Sequence, residues 1–394
     1  MQGALSFTSW YSPAQIHQDT TQLMGVLAQH PEKLGRWAHT QSIDEIVALL
    51  QTLELDPLHR QRLISQWLCT AHGTELTRQL TECVIPSATP DYGNAIAPST
   101  HEVVWENERA QVIRYASKPG TPILLVPAVI NKHYILDLCP ERSLVQAMIA
   151  QGYECYCMVW KPITGNETAA DYVRAIEWAL EALNGPLHLV GYCLGGLLAA
   201  QVAMNSSAVE SLTLLASPLN GDAGAIEPWL TPLQRAHTVH CADARGCVPA
   251  GVLTAGFLSL KPDSWSSLFR QDRFPELAVW LTDGLDVAPS VWHWIVDEVY
   301  GEGGMTASIP LHELSIPVWL QSFDQDHLVP PQSLATQGPV IQSRSPGGHN
   351  SGLLKLGAGS WVQGWCSWLT ELPPISLPAT GSECVAFTHS GSAF

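Results

Sequence analysis

Basic residues are scarce in this chain. Nineteen lysines and arginines stand against 36 aspartates and glutamates, a formal net charge of −17. That balance argues against a nucleic-acid partner, whose phosphates need neutralising by Lys and Arg. It also weakens attraction to an anionic membrane surface. Long apolar runs are missing too, and no stretch approaches the roughly 20 apolar residues of a membrane span. No Lys or Arg precedes Lys33, and no apolar run of signal-peptide type accompanies the N-terminus. The ten cysteines (Cys69, Cys83, Cys139, Cys155, Cys157, Cys193, Cys241, Cys247, Cys366 and Cys384) contain no Cys-x-x-Cys pair. In a chain this long, such scatter reads as reduced thiols rather than a disulfide framework. There is no internal repeat. These absences predict a soluble, cytoplasmic protein.

What is present is material for a core: 394 residues, 46% hydrophobic, with 15 tryptophans. That suffices for one large α/β domain with additions, or for two domains. Residues 1–100 are polar with helical periodicity. Ser42-Ile43-Asp44-Glu45 resembles a capping box, followed by Ile46, Leu49, Leu50 and Leu53 at helical spacing. A second helix is expected over 58–80 and a linker over 86–98. From Glu102 onward strands and helices alternate, which implies a parallel sheet with helices on both faces. The expected strands are 103–105, 111–115, 123–126, 155–160, 187–190 and 212–215, with helices over 144–151 and 169–183. Residues 217–310 break the rhythm with Trp229, Trp265, Trp280, Trp292 and Trp294, and read as a mostly helical cap over the C-terminal strand ends. Most of these tryptophans are expected to fill the cap's own core. Strands resume at 316–321 and 339–342, and a Trp-rich helix follows over 361–369. The domain plan is therefore a helical region (1–100), a first core part (101–216), a cap (217–310), a second core part (311–372) and a mobile tail (373–394).

One stretch organises the whole. Leu187-His188-Leu189-Val190 runs into Gly191-Tyr192-Cys193-Leu194-Gly195-Gly196 and then into Leu197-Leu198-Ala199-Ala200. This is the form of a nucleophile elbow, carrying cysteine where most carry serine. By itself a Gly-x-Cys-x-Gly also fits a buried cysteine in a strand–helix turn. The partners weigh against that plainer reading. Asp326 is expected in a loop after one strand, and His349 in a glycine-flanked loop after the next. Both fall on the sheet edge that carries Cys193. His349 would take the Cys193 proton or pair with the thiolate, and Asp326 would hold the imidazole tautomer. The backbone N–H groups of Leu194 and Val129 would form an oxyanion hole. A thiolate suits thioester chemistry, because its acyl adduct is itself a thioester and stays reactive toward a hydroxyl.

Asp324 is an alternative acid. His327 reads as a structural neighbour or as a group that polarises a substrate hydroxyl. His237, His240, Cys241 and Cys247 look superficially like metal ligands, but their spacing fits no common zinc pattern, and no metal is expected. Lys132, Arg142, Lys161 and Arg344 are the basic residues nearest the expected mouth. An anionic cofactor would meet them there, although solvated surface charge is the plainer reading of each.

The run from Leu125-Val126-Pro127-Ala128-Val129-Ile130-Asn131-Lys132-His133-Tyr134 through Ile135-Leu136-Asp137-Leu138 is the most specific feature. With the elbow, the Asp326-His327-Leu328-Val329-Pro330 loop and Gly348-His349, the chain resembles the polyhydroxyalkanoate (PHA) synthases, the PhaC family. The resemblance covers about residues 102–352. It implies an α/β-hydrolase fold with Cys193, Asp326 and His349 as the catalytic triad. It further implies (R)-3-hydroxyacyl-CoA as substrate, CoA as leaving group, a polyester product and no cofactor beyond the CoA thioester. The hydroxyl of one 3-hydroxyacyl unit, its proton removed with help from His349 or Asp326, would attack the thioester carbonyl of another. Asn131, Lys132 and His327 are the auxiliary candidates near the substrate, and one or two cap tryptophans are candidates for lining an acyl tunnel. Family members are commonly dimers on polyester granules. The short N-terminal region, the cap and Asn350-Ser351-Gly352 depart from the family pattern. They leave open a cysteine thioesterase, esterase or other acyltransferase on the same fold, and a non-catalytic protein that binds granules or a synthase partner.

Overall fold

A computed structural model describes residues 96–220, 239, 242–243, 246–250, 253, 275–301, 304–306, 308–334 and 340–375. The expected N-terminal helices with their Ser42 cap, most of the 86–98 linker, Trp229, Trp265, His237, His240, Cys241 and the tail after 375 lie outside the described residues.

Strands β1 (His101–Glu106) and β2 (Ala110–Tyr115) form an antiparallel pair. Next come β3 (Thr121–Val126), helix α1 (Leu144–Ala150), β4 (Tyr153–Trp160) and α2 (Ala169–Leu183). Then follow β5 (Leu187–Tyr192), α3 (Leu194–Ala203) and β6 (Val209–Leu215). Between β6 and β7 the described residues include α4 (Pro275–Thr282) and α5 (Pro289–His293), the latter running into a π-helical turn at Trp294–Val299. The chain continues with β7 (Val318–Phe323), β8 (Val340–Ser345), α6 (His349–Leu353) and α7 (Trp361–Glu371). The eight strands form one sheet in the order β1-β2-β4-β3-β5-β6-β7-β8. Every neighbouring pair from β4 to β8 is parallel, and β2 joins β4 antiparallel.

The local reasons are readable. Strands β5 and β7 are buried along their whole length, and β3 is buried after its first residue. That is why β3 reads as a continuous apolar run rather than an alternating one. In α2 the buried residues are Tyr172, Ala175, Ile176, Ala179 and Leu180, one stripe at helical spacing. Thr168 and Asp171 close a reciprocal capping box at its start. Helix α3 has no such stripe, because nine of its ten residues are buried. It is the central helix, packed on β5 and β6.

Two expectations need correcting. His349 does not sit in a loop; it opens the five-residue helix α6. The Gly348 N–H donates to the Ser351 hydroxyl at 2.9 Å, closing a first turn that the small polar residues had disguised. Strand β8 runs on to Ser345, beyond the expected end at 342. It is an edge strand, so its exposed Gln342 and Arg344 are compatible with pairing.

Candidate active site

The elbow begins where β5 ends. Cys193 has φ +54° and ψ −127°, a sparsely populated region for a residue with a side chain. Such a conformation costs about 1–3 kcal/mol and persists only where its surroundings over-determine it. Here the Cys193 N–H donates to the Leu215 carbonyl and the Gly196 N–H donates to the Cys193 carbonyl, both at 2.9 Å. A Cβ on Gly191 would overlap the Gly196 backbone, and one on Gly195 would overlap the Val126 and Pro127 carbonyl oxygens. The loop after β3 therefore presses directly on the first turn of α3. Trp160 fixes that loop from the other side, its Nε1–H donating to the Pro127 carbonyl at 3.0 Å. Leu194 opens α3, where the first N–H groups have no intrahelical acceptor. Val129 lies two residues beyond Pro127, so the two expected oxyanion donors belong to touching segments.

Asp326 and His349 meet as buried side chains, with His349 Nδ1 2.8 Å from Asp326 Oδ2. A carboxylate only accepts, so Nδ1 carries the proton. The other carboxylate oxygen accepts from the N–H groups of Leu328 (2.9 Å) and Val329 (2.8 Å), which fixes its direction. Cys193 acts on the same imidazole electrostatically. Burial alone pulls the His349 pKa down, but the charges of Asp326 and Cys193 and the Asp326 hydrogen bond outweigh it and push it up to about 10. The two loops that carry acid and base are tied together, because the Gln325 N–H donates to the Gly347 carbonyl at 2.8 Å. Gly347 has φ +137°, a conformation that a side chain would strain. Asp324, the alternative acid, lies on the surface paired with Arg344 and makes no bond to His349 among those described.

Two tyrosines complete the surroundings. The Tyr192 ring lies against the His349 imidazole with centroids 5.2 Å apart, and its hydroxyl donates to Asn350 Oδ1 at 2.7 Å. Tyr300 ends the π-helical turn, its N–H donating to the Ile295 carbonyl at 3.0 Å. It is buried within electrostatic reach of Cys193 and Asp326. Burial, then the charges of Cys193 and Asp326, raise the pKa of both phenols, which keeps them neutral donors. Sequence reasoning missed both. Adjacency to Cys193 was a usable signal for Tyr192, whereas Tyr300 has none, because its place depends on how the chain between β6 and β7 folds back.

The remaining candidates are placed as follows. Asn131 pairs with Gly284 in an isolated bridge, and Ile130 accepts from the Leu285 N–H at 3.0 Å. The Lys132 carbonyl accepts from Trp280 Nε1–H at 2.7 Å, and its ammonium stands 4.0 Å from Asp283. Tyr134 donates to the same Asp283 carboxylate at 3.0 Å. The loop after β3 is thus stitched to α4 and the turn that follows it. Lys161 binds Glu106 and the Asn107 carbonyl, so it too is engaged by its own surface. His327 follows Asp326 directly and is half-buried. Trp280 and Trp294 are buried and Trp292 packs against the same core. Among the described residues no group of three His, Cys, Asp or Glu could hold a metal ion, and no helix is long and apolar enough to cross a membrane.

Comparisons with known proteins agree with this architecture. Residues 133–355, more than half of the chain, match the alpha/beta hydrolase family. Residues 75–148 match the family described as poly-beta-hydroxybutyrate polymerase (PhaC) N-terminus. The chain is 29% identical over 285 residues to the poly(3-hydroxyalkanoate) polymerase subunit PhaC of Haloferax mediterranei, covering 63% of this chain and 58% of that one. Against the same subunit of Cupriavidus necator it is 29% identical over 285 residues, covering 61% and 48%. Against that of Thiocystis violacea it is 24% identical over 294 residues, covering 64% and 82%. The match therefore spans less than two thirds of the length of the first two relatives. Among solved structures, a hydrolase from Pseudomonas aeruginosa superposes with a TM-score of 0.50 at 14% identity, over 69% of this chain and 97% of that one. That last likeness concerns the fold alone.

Proposed function

The chain belongs to the alpha/beta hydrolase family, and from that premise we propose that it is a PHA-synthase-like acyltransferase acting on (R)-3-hydroxyacyl-CoA through an acyl thioester on Cys193. The observation that carries the reading is the buried Cys193, His349 and Asp326 line at the C-terminal edge of the sheet, built on sulfur rather than oxygen. Similarity to the PhaC subunits over 61–64% of the chain supplies the substrate class.

In this mechanism the Cys193 sulfur attacks the thioester carbonyl. Its proton resides on His349, whose charge Asp326 balances. The Leu194 and Val129 N–H groups receive the developing oxyanion. The carbon–sulfur bond to CoA breaks, and the departing thiolate takes the proton from His349. The hydroxyl of a second 3-hydroxyacyl unit then gives its proton to His349 and attacks the acyl-Cys193 carbonyl. An ester bond forms and the Cys193 sulfur is released. His327, Asn131 and Lys132 are assigned auxiliary roles in this proposal, and no cofactor enters the cycle. Action as a homodimer on cytoplasmic polyester granules belongs to the same proposal. Resolution of the acyl-enzyme by water is the second reading, favoured by the family match over 133–355.

The deciding experiment incubates the purified chain with (R)-3-hydroxybutyryl-CoA and follows CoA release together with the product. Insoluble polyester after a lag is expected, with CoA release falling about a thousandfold or more in Cys193→Ala. Free acid without polymer would establish the thioesterase reading instead. CoA release that survives Cys193→Ala would overturn the covalent mechanism, and no release from the wild type would overturn the proposed activity.

A further inference from the structure

A nucleophile and its base must be held in register, and in this chain they come from segments far apart in sequence. Asp326 anchors His349 at one nitrogen only. That bond leaves the ring free to tilt about the Nδ1 contact, and it sets no distance between α6 and the elbow. The Tyr192 and Asn350 side chains supply both missing constraints. The Tyr192 ring backs the imidazole at 5.2 Å and an interplanar angle of 35°. The Tyr192 hydroxyl donates to Asn350 Oδ1 at 2.7 Å, across 158 residues of chain. Tyr192 immediately precedes Cys193 and Asn350 immediately follows His349. The bond is therefore a strut lying beside the Cys193 and His349 pair, joining the same two segments one residue further out.

The elbow backbone makes this arrangement available. In a regular strand successive side chains point to opposite faces. The positive φ at Cys193 breaks that alternation, so that Tyr192 and Cys193 both address α6. On the other side, α6 is short and is stiffened by Gly348, whose carbonyl accepts from the Gly352 N–H at 2.7 Å. A five-residue helix has little packing surface with which to hold its own position.

We propose that Tyr192 and Asn350 are a pair of positioning residues that hold the His349 imidazole against the Cys193 sulfur. The inference rests on Cys193 being the nucleophile, as proposed above. The sequence difference after His349 is then a working part: an acceptor at position 350 matched to a phenol at position 192.

The test reads the sulfur directly. The intact protein is treated with iodoacetamide at neutral pH, and the alkylation rate of the Cys193 peptide is followed by mass spectrometry. His349→Ala serves as the reference for loss of the base. Tyr192→Phe keeps the ring and removes the hydroxyl; Asn350→Ala, at a half-exposed position, provides a second variant should the first not fold. Each is expected to slow Cys193 alkylation by about fivefold, the worth of one neutral hydrogen bond. The double variant should be no slower than either single one, since both remove the same bond. In turnover, kcat should fall while KM holds. Full-rate alkylation in both single variants, or losses that multiply in the double variant, would overturn the pair while leaving the triad standing. Alkylation insensitive to His349→Ala would overturn the triad, and the pair with it.

Discussion

His349 is held by a carboxylate and lies within electrostatic reach of a sulfur, and its protonation bears on stability. An unfolded histidine titrates near about 6.5, whereas folded His349 is pushed up to about 10. Between those values the native state binds one proton more than the unfolded chain. The stabilisation from this group is therefore fully present below about pH 6.5 and is lost as pH rises through about 10, at no more than about 1.4 kcal/mol per pH unit. Asp326→Asn removes the charge that raises the imidazole pKa and offers an N–H where Nδ1–H needs an acceptor. Urea midpoints across this window should fall with pH more steeply for the wild type than for Asp326→Asn. Equal slopes would mean that Asp326 does not hold the proton on His349. The oxygen that binds the Leu328 and Val329 N–H groups is kept in the variant, so its loop should survive.

Between the elements, two contacts decide whether the residues meet. The first is the backbone approach at Gly195. Because a Cβ there would strike two carbonyl oxygens rather than a side chain, relief requires moving β3 or α3. Gly195→Ala is expected to destabilise the protein by about 1–3 kcal/mol through overpacking, read as a lower melting temperature and poorer soluble yield. An unchanged melting temperature would show that the loop after β3 yields easily. The second contact is the seam between that loop and α4. Asp283 receives the Tyr134 hydroxyl and faces the Lys132 ammonium. Asp283→Ala should let the segment bearing Val129 shift, lowering kcat about tenfold by loss of alignment with little change in melting temperature. If steady-state assays show kcat intact, the seam is only an adhesive between segments.

For the whole molecule, stability and site share one sheet. Helix α7 closes the core with two ring pairs, Trp361 against Trp365 at a centroid distance of 5.6 Å and Trp368 against Trp319 of β7 at 5.5 Å. Trp365 is fully buried, and its Nε1–H donates to the Thr213 hydroxyl on β6 at 2.9 Å. Trp365→Ala should cost about 3–5 kcal/mol, the range for a large aromatic removed from a core, measured by denaturant unfolding. A loss below about 1 kcal/mol would show that α7 is dispensable to the core. The scarcity of basic residues also has a local form: Lys132, Lys161 and Arg344 each stand beside an acid. An anionic substrate would have to compete with the chain's own carboxylates at all three.

The sequence by itself determined the strand and helix order from β1 to α3, because fully buried strands and an amphipathic α2 are written in local hydrophobic pattern. It also determined the elbow, since the glycines and the Cys193 position form a contiguous signature. Asp326 and His349 were legible through their order after the elbow and their place beyond successive strands. The tertiary structure supplied the contact itself, with Asp326 on the imidazole and Asp324 turned to Arg344 on the surface. It alone set the hydroxyl of Tyr192 on Asn350 and brought Tyr300 within electrostatic reach of Cys193. Each of those contacts joins groups distant along the chain, and a local pattern carries no information about a distance that only folding closes.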